Sequence, residues 1–195
     1  MAKFCSNCGK ELVDGNCSKC GNVKKSFNFK DSCLECWKAI VGIFTKPVDT
    51  ISKFVVDNKF ISGIMLIILT ALFTGVYKMA SLKSIESSYS DINYLKEFFN
   101  EFLTNLGLYA ALVLIGWVVI TKLFKGKGSL KQMIQIVSIS LIVSMLSYLI
   151  CSAFVFVDKE VMLYIIKYIF SFATIYEFVT FFVAVKEVSG IDKNK

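Results

Sequence analysis

Two regimes of hydrophobic patterning divide the chain. Residues 1–59 mix lysines, serines and scattered apolar side chains, whereas from Phe60 onward long apolar runs are broken only by short polar stretches. A run of about 18 or more apolar residues is long enough, at about 1.5 Å rise per residue, to cross the hydrocarbon core of a bilayer. Four segments qualify: Phe60–Ala80, Phe102–Phe124, Leu130–Val157 and Glu160–Val185. The last two exceed the core thickness, so they are expected to tilt or to extend past it. If one of them is broken, a fifth helix results. Ahead of the second span, Ile92, Leu95, Phe98, Phe99, Phe102 and Leu106 recur at helical spacing. That pattern predicts an amphipathic helix over Asp91–Leu106 at the outer interface, capped by Ser90 or Asp91 and running into the second span near Gly107. A similar stretch covers Ser32–Phe44. It is followed by Pro47, the single proline, which lacks an N–H and so suits the first turn of a helix. A short interfacial helix through Asp57 is therefore expected to lead into the first span. The predicted fold is an all-α polytopic membrane bundle of four spans, or five with a break, preceded by a small cysteine-rich module. The expected organisation is a module over 1–24, a linker with interfacial helices over 25–59, the membrane bundle over 60–190 and a tail over 191–195.

Composition strengthens this reading. The chain has 195 residues, 55% of them hydrophobic, and a mean hydropathy of +0.63, more apolar than a water-soluble domain of this size tolerates. The opening residues are polar and cysteine-rich, unlike a cleavable leader, so the first span is expected to act as its own insertion signal. The formal charge is +7, carried by lysine alone, and histidine is absent. The missing histidine removes most general acid–base and Cys/His triad chemistry. The lysines cluster in alternate loops. Lys46, Lys53 and Lys59 precede the first span, Lys122, Lys125, Lys127 and Lys131 surround the loop after the second, and Lys186, Lys193 and Lys195 follow the last. The opposite loops are poorer: Lys83 and Lys96 are offset by Glu86, Asp91 and Glu97, and the other is the short Asp158-Lys159-Glu160 turn. The bias places both termini in the cytoplasm of a multi-pass cell-membrane protein. No arginine-rich or aromatic-interleaved stripe points to nucleic acid.

The strongest chemical signal is Cys5-Ser-Asn-Cys8-Gly9 with Cys17-Ser-Lys-Cys20-Gly21. In such a knuckle the backbone turns around the first sulfur, and the glycine after the second cysteine permits the positive φ on which the turn ends. Two knuckles supply four thiolates for the tetrahedron that Zn²⁺ prefers. So short a segment cannot bury a core, and the metal would supply its folding free energy. Two disulfides are the competing reading, disfavoured in a reducing cytoplasm. One structural Zn²⁺ held by Cys5, Cys8, Cys17 and Cys20 is expected, with no coordination position left for catalysis. A third pair, Cys33 and Cys36, has no following glycine. Burial on an amphipathic helix is favoured there over a redox or metal role. Cys151 falls within the third span as a packing residue.

Inside the spans, Ser140, Ser144, Ser147 and Cys151 lie on one stripe, and Ala173, Glu177, Thr180 and Ala184 on another. Small stripes permit close helix packing, and serine can hydrogen-bond across an interface. Glu177 stands out. It lies about nine residues, or roughly 13 Å, from the end of its span. A carboxyl at that depth is costly and suggests function. It is expected to face the bundle in its protonated form and to meet Ser140 or a neighbouring hydroxyl. No phosphate-binding loop, dinucleotide fingerprint, zinc-protease helix or nucleophile elbow is present.

Three stretches carry a family resemblance: Ile43-Phe-Thr-Lys-Pro47-Val-Asp-Thr-Ile51 before the first span, Lys125-Gly-Lys-Gly-Ser129-Leu-Lys-Gln132 opening a later one, and Val185-Lys-Glu-Val-Ser-Gly190 after the last. From about Phe44 to Gly190 the chain resembles the Yip-type (Ypt/Rab-interacting-like) membrane domain, in the bacterial form that carries an N-terminal zinc ribbon. The resemblance implies five spans, where the pattern here shows four, and a proline that Ile136–Ser147 lacks. Eukaryotic members are implicated in vesicle traffic and bind small GTPases. The expected function is non-enzymatic: a cytoplasmic zinc ribbon that meets a partner, and a bundle that anchors it and associates with itself or other membrane proteins. Lys3, Lys10, Lys19, Lys24 and Lys25, against Glu11 and Asp14, suit anionic headgroups or an acidic protein surface. The alternative is a small transporter with Glu177 in its pathway.

Overall fold

The computed structural model describes residues 16–17, 21–22, 29–56, 59–84, 93–123, 129–155 and 159–189. The chain divides into two compact units, Met1–Asp31 and Ser32–Lys195. In the first, β1 (Asn16–Cys17) pairs antiparallel with β2 (Gly21–Asn22), with Asn16 opposite Asn22 and Cys17 opposite Gly21. Cys5, Cys8 and Cys20 lie outside the described residues, and of Cys17 only the backbone pairing is described.

The second unit is helical. Helix α1 (Phe29–Thr45), most of which belongs to this unit, is followed by α2 (Pro47–Val56), with Pro47 at the first helical position as its missing N–H dictates. Among the described residues, four helical stretches are long and apolar enough to span a membrane. They are α3 (Phe60–Ser84), α4 (Tyr94–Val118, continued by a π-helical turn to Leu123), the pair α5 (Leu130–Ser140) and α6 (Ile142–Phe154), and α7 (Lys159–Ser189). The amphipathic stretch before the second span is continuous with it, as the periodicity predicts. Its cap is Asn93, however, not Ser90 or Asp91: the Asn93 side chain accepts from the Lys96 N–H at 3.1 Å. Helix α5 opens on a reciprocal capping box, in which Ser129 Oγ accepts from the Gln132 N–H at 3.2 Å and Gln132 Oε1 from the Ser129 N–H at 2.8 Å.

The third span is interrupted at Leu141, where ψ relaxes to −9°. Two hydroxyls just before it turn back on their own helix, Ser138 Oγ to the Gln135 carbonyl at 2.9 Å and Ser140 Oγ to the Val137 carbonyl at 2.8 Å. Such back-bonding competes with the helical ladder and bends it. The break does not make a fifth crossing, because α5 and α6 together form one span from Leu130 to Phe154.

That broken span is the centre of the bundle. Two thirds of its apolar window, 67%, is covered by protein, against 39% for the first span and 17% for the second and fourth. Helices α4 and α7 instead turn large side chains outward. On α7, Phe172, Ile175, Phe178, Val179 and Phe182 are exposed while Ala173, Thr180 and Ala184 are buried. This inversion suits a lipid solvent: hydrocarbon accepts the large residues, and the small ones let backbones approach. Between α3 and α4 the approach is close at Gly75, where a Cβ would sit 2.8 Å from the Phe98 ring and 3.1 Å from its carbonyl oxygen.

Hydrogen bonds tie α1 and α2 to the spans. In a continuous helix the N–H of residue 47 would bond the carbonyl of Ile43. Proline has no N–H to give. Ile43 is fully buried, and the Tyr176 hydroxyl of α7 donates to its carbonyl at 2.7 Å instead. Gln135 of α5 donates through Nε2 to the Phe54 carbonyl in the last turn of α2 at 2.7 Å, satisfying one of the acceptors that a helix end leaves open. Ser52 Oγ donates to Glu187 Oε2 at 3.4 Å. Ser62 at the start of α3 donates to Glu35 Oε2 at 2.9 Å and accepts, through its carbonyl, from Cys36 Sγ at 3.4 Å. At the elbow between the two helices, a Cβ on Gly42 would overlap Thr50 Oγ1. Only glycine leaves room for that contact.

Candidate functional site

Glu177 lies on the inner edge of α7, between buried Ala173 and Thr180. Ser144 in the first turn of α6 donates to its Oε2 at 2.6 Å. Of the two expected partners, Ser140 or a neighbouring hydroxyl, it is the neighbour that makes the bond. Ser140 is one turn earlier and its hydroxyl is spent on the Val137 carbonyl of its own helix. Tyr109 of α4 and Tyr148 of α6 lie in the neighbourhood of Glu177.

Beside this pair is a cleft of about 340 Å³ bounded by three spans. Leu112, Ile115, Gly116 and Val119 of α4 and its π turn form one wall. Val137 and Ser140 of α5 form the floor, and Glu177, Phe178 and Phe181 of α7 the other wall. Among the described residues, Glu177 and Ser140 are its only polar side chains, so the structure does bring the two together, as members of one apolar cleft and not as hydrogen-bonded partners. The nearest lysines of α7, Lys167 and Lys186, are ten and nine residues from Glu177, about 15 and 13 Å along the helix.

The three cysteines of the helices carry no sign of a site among the described residues. Cys33, Cys36 and Cys151 are free thiols. Burial pushes the Cys36 thiol up to about 11, with Cys33 and Glu35 adding to the rise. Its proton is held by the Ser62 carbonyl, so Cys36 behaves as a small buried side chain. Among the described residues, no group of three or more metal-ligating side chains forms.

Two residues that matter to the bundle escape a reading of the sequence. Gln135 is fully buried in the third span, and a polar amide inside an apolar run is a signal in itself. Tyr176 could have been found by asking which donor serves the carbonyl four residues before Pro47.

The lipid-adapted surface, the proline-led α2 before the first span and the capping box opening the third agree with the resemblance drawn from the sequence. The family model for the Yip1 domain matches residues 41–195. The chain belongs to the Yip1 domain family and is a multi-pass membrane protein. No curated protein and no solved structure matches it.

Proposed function

We propose that the chain is a non-enzymatic membrane adaptor, in which a cytoplasmic zinc ribbon meets a partner and the Yip1-type bundle anchors it. The observation that carries this reading is the way the polar groups of the bundle are used. Those that cross between elements mostly fasten α1 and α2 to the spans, and no constellation of nucleophile, base and oxyanion donors forms among the described residues. The ribbon rests on Cys5, Cys8, Cys17 and Cys20 as ligands of one structural Zn²⁺. Supporting it, the Cys17–Gly21 pairing brings together the two ends of the second Cys-x-x-Cys-Gly segment, as a knuckle requires. The lysine-rich flanks of the first span, the second loop and the tail support cytoplasmic termini. The bundle is also free to associate with a second copy or with another membrane protein through its exposed α4 and α7 faces. A transport role for Glu177 is less well supported, because the cleft beside it is walled by apolar side chains and not by a polar path.

The test combines metal content with topology. The purified chain is expected to hold one zinc, lost in Cys5→Ser, and protease is expected to cut the N-terminal segment in inside-out vesicles only. Absence of zinc, or cutting from the outside, would overturn the ribbon and its cytoplasmic placement.

A further inference from the structure

The cleft between α4 and α7 places one carboxyl in surroundings that otherwise suit hydrocarbon. We propose that it is a binding site for a hydrophobic cation whose charge is shielded by carbon, a quaternary ammonium or phosphonium, with Glu177 as the counter-charge.

Three observations select this ligand chemistry. The first is charge. Glu177 lines the cleft, while the nearest lysines of its own helix lie about 13–15 Å away along the axis. A carboxyl deep in a membrane is satisfied by a proton or by a cation. Ser144 holds Oε2 at 2.6 Å and so fixes the carboxyl in place. The second is the wall. Phe178 and Phe181 flank Glu177, and aromatic faces attract cations, most strongly where water is excluded. Ile115 at the mouth and Val137 deeper in add further apolar lining. Beyond Glu177 and Ser140 such walls offer no side-chain acceptors, so any N–H of a primary ammonium turned toward them would be left unpaired at a cost. A quaternary cation has no N–H groups to satisfy. The third is size. At about 340 Å³ the cleft lies near the small end of the range of small-molecule sites, about 300–1,000 Å³. It suits one compact organic cation and excludes a two-chained lipid. The headgroup of a phospholipid is in any case held at the interface, far above Glu177.

The experiment uses the full chain in nanodiscs of zwitterionic phosphatidylcholine, with empty discs as background. The probe is tetraphenylphosphonium, and its control is tetraphenylborate, of the same shape and opposite charge. Saturable binding of one tetraphenylphosphonium per chain is expected, with none for tetraphenylborate. Glu177→Gln is expected to weaken it at least tenfold. Ile115→Trp, at a position 60% exposed in the cleft mouth, should block the site by bulk while leaving the bundle folded. Should Glu177→Gln not fold, the charge-reversed control and Ile115→Trp still decide. Equal binding of the two probes, binding indifferent to both substitutions, or no binding above that of empty discs would each overturn the proposal.

Discussion

Tyr176→Phe removes one oxygen and tests how the bundle tolerates its proline. The Ile43 carbonyl lost its helical partner to Pro47, is fully buried and accepts the Tyr176 hydroxyl at 2.7 Å. Without that hydroxyl the acceptor is left unpaired. A buried unpaired polar group costs about 1–3 kcal/mol. Hydrogen bonds between membrane helices average only about 0.6 kcal/mol, because the separated helices find other partners. Here the acceptor is a backbone carbonyl of a fully buried residue at a helix elbow, and the nearby Thr45 hydroxyl already serves the Val41 carbonyl, so about 1–2 kcal/mol is expected. That is roughly a 5- to 30-fold shift in the unfolding equilibrium. Phe retains the ring, and with it the stacking of position 176 on Phe44 at 6.4 Å, so packing changes little. Unfolding would be followed by far-ultraviolet circular dichroism in mixed micelles of rising denaturing-detergent fraction. The decisive comparison is a double-mutant cycle with Pro47→Ala, which restores an N–H at residue 47. The Tyr176→Phe cost should then fall by at least half. A single-mutant cost within about 0.5 kcal/mol of zero, or an equal cost in both backgrounds, would refute the compensation.

Other expectations rest on the same contacts. Gln135→Leu keeps the volume but deletes the donor to the Phe54 carbonyl, and should cost about 1–2 kcal/mol in the same unfolding assay; the unpaired Gln135 Oε1 that it also removes offsets part of the loss. Gly75→Ala drives a methyl against the Phe98 ring and carbonyl, and should destabilise by about 1–3 kcal/mol, whereas Gly107→Ala, which meets nothing within 4 Å, should be neutral or slightly stabilising. Cys36, pushed up to about 11, keeps its proton at neutral pH; its alkylation by N-ethylmaleimide, followed by peptide mass mapping, should climb about tenfold per pH unit between 8 and 10. The sign is that of an acid stabilised in its neutral form: the contribution of the thiol to stability is complete below its ordinary range near 9 and is lost as pH rises through 11. A flat alkylation profile over that range would contradict the burial.

The sequence makes the spans legible because a bilayer demands long apolar runs whatever the packing. It does not reveal which span lies at the centre. In water the inner face of a helix is the apolar one, but in lipid both faces are, so α5–α6 and α7 read alike although one is enclosed and the other is largely lipid-facing. Of the two partners expected for Glu177, Ser140 or a neighbouring hydroxyl, the neighbour Ser144 meets it for a related reason. Matching depths by counting residues treats the third span as a straight rod, and the break at Leu141 displaces the residues beyond it. Pro47 was readable as a helix start from its covalent structure alone. The consequence of Pro47 for the Ile43 carbonyl was not, because the replacement donor lies 133 residues away. The cap at Asn93 shows the ordinary uncertainty of helix ends, where Ser90, Asp91 and Asn93 offer the same chemistry within one turn.

The hydroxyls of the spans argue against serine as the adhesive of this bundle. Thr70, Thr74, Thr121, Ser138, Ser140, Ser147, Ser171 and Thr174 all return their protons to carbonyls of their own helices. A hydroxyl so engaged adds little between helices and leaves the small side chain free to act as a spacer. Among the described residues, two sets of side-chain bonds cross between elements. Those of Ser62, Gln135, Tyr176 and Ser52 hold α1 and α2 to α3, α5 and α7. The bond from Ser144 holds Glu177 beside the cleft. Close packing of small residues would keep four spans together without either set. The crossing bonds add orientation, because a hydrogen bond loses its value over a fraction of an ångström and a few tens of degrees, whereas apolar contact does not. A chain selected only to sit in the membrane has no need to orient its pre-membrane helices or a lone carboxyl. Both are oriented here, one on the segment that leads into the bundle and the other at the wall of its cleft, and those are the two places where function should be sought.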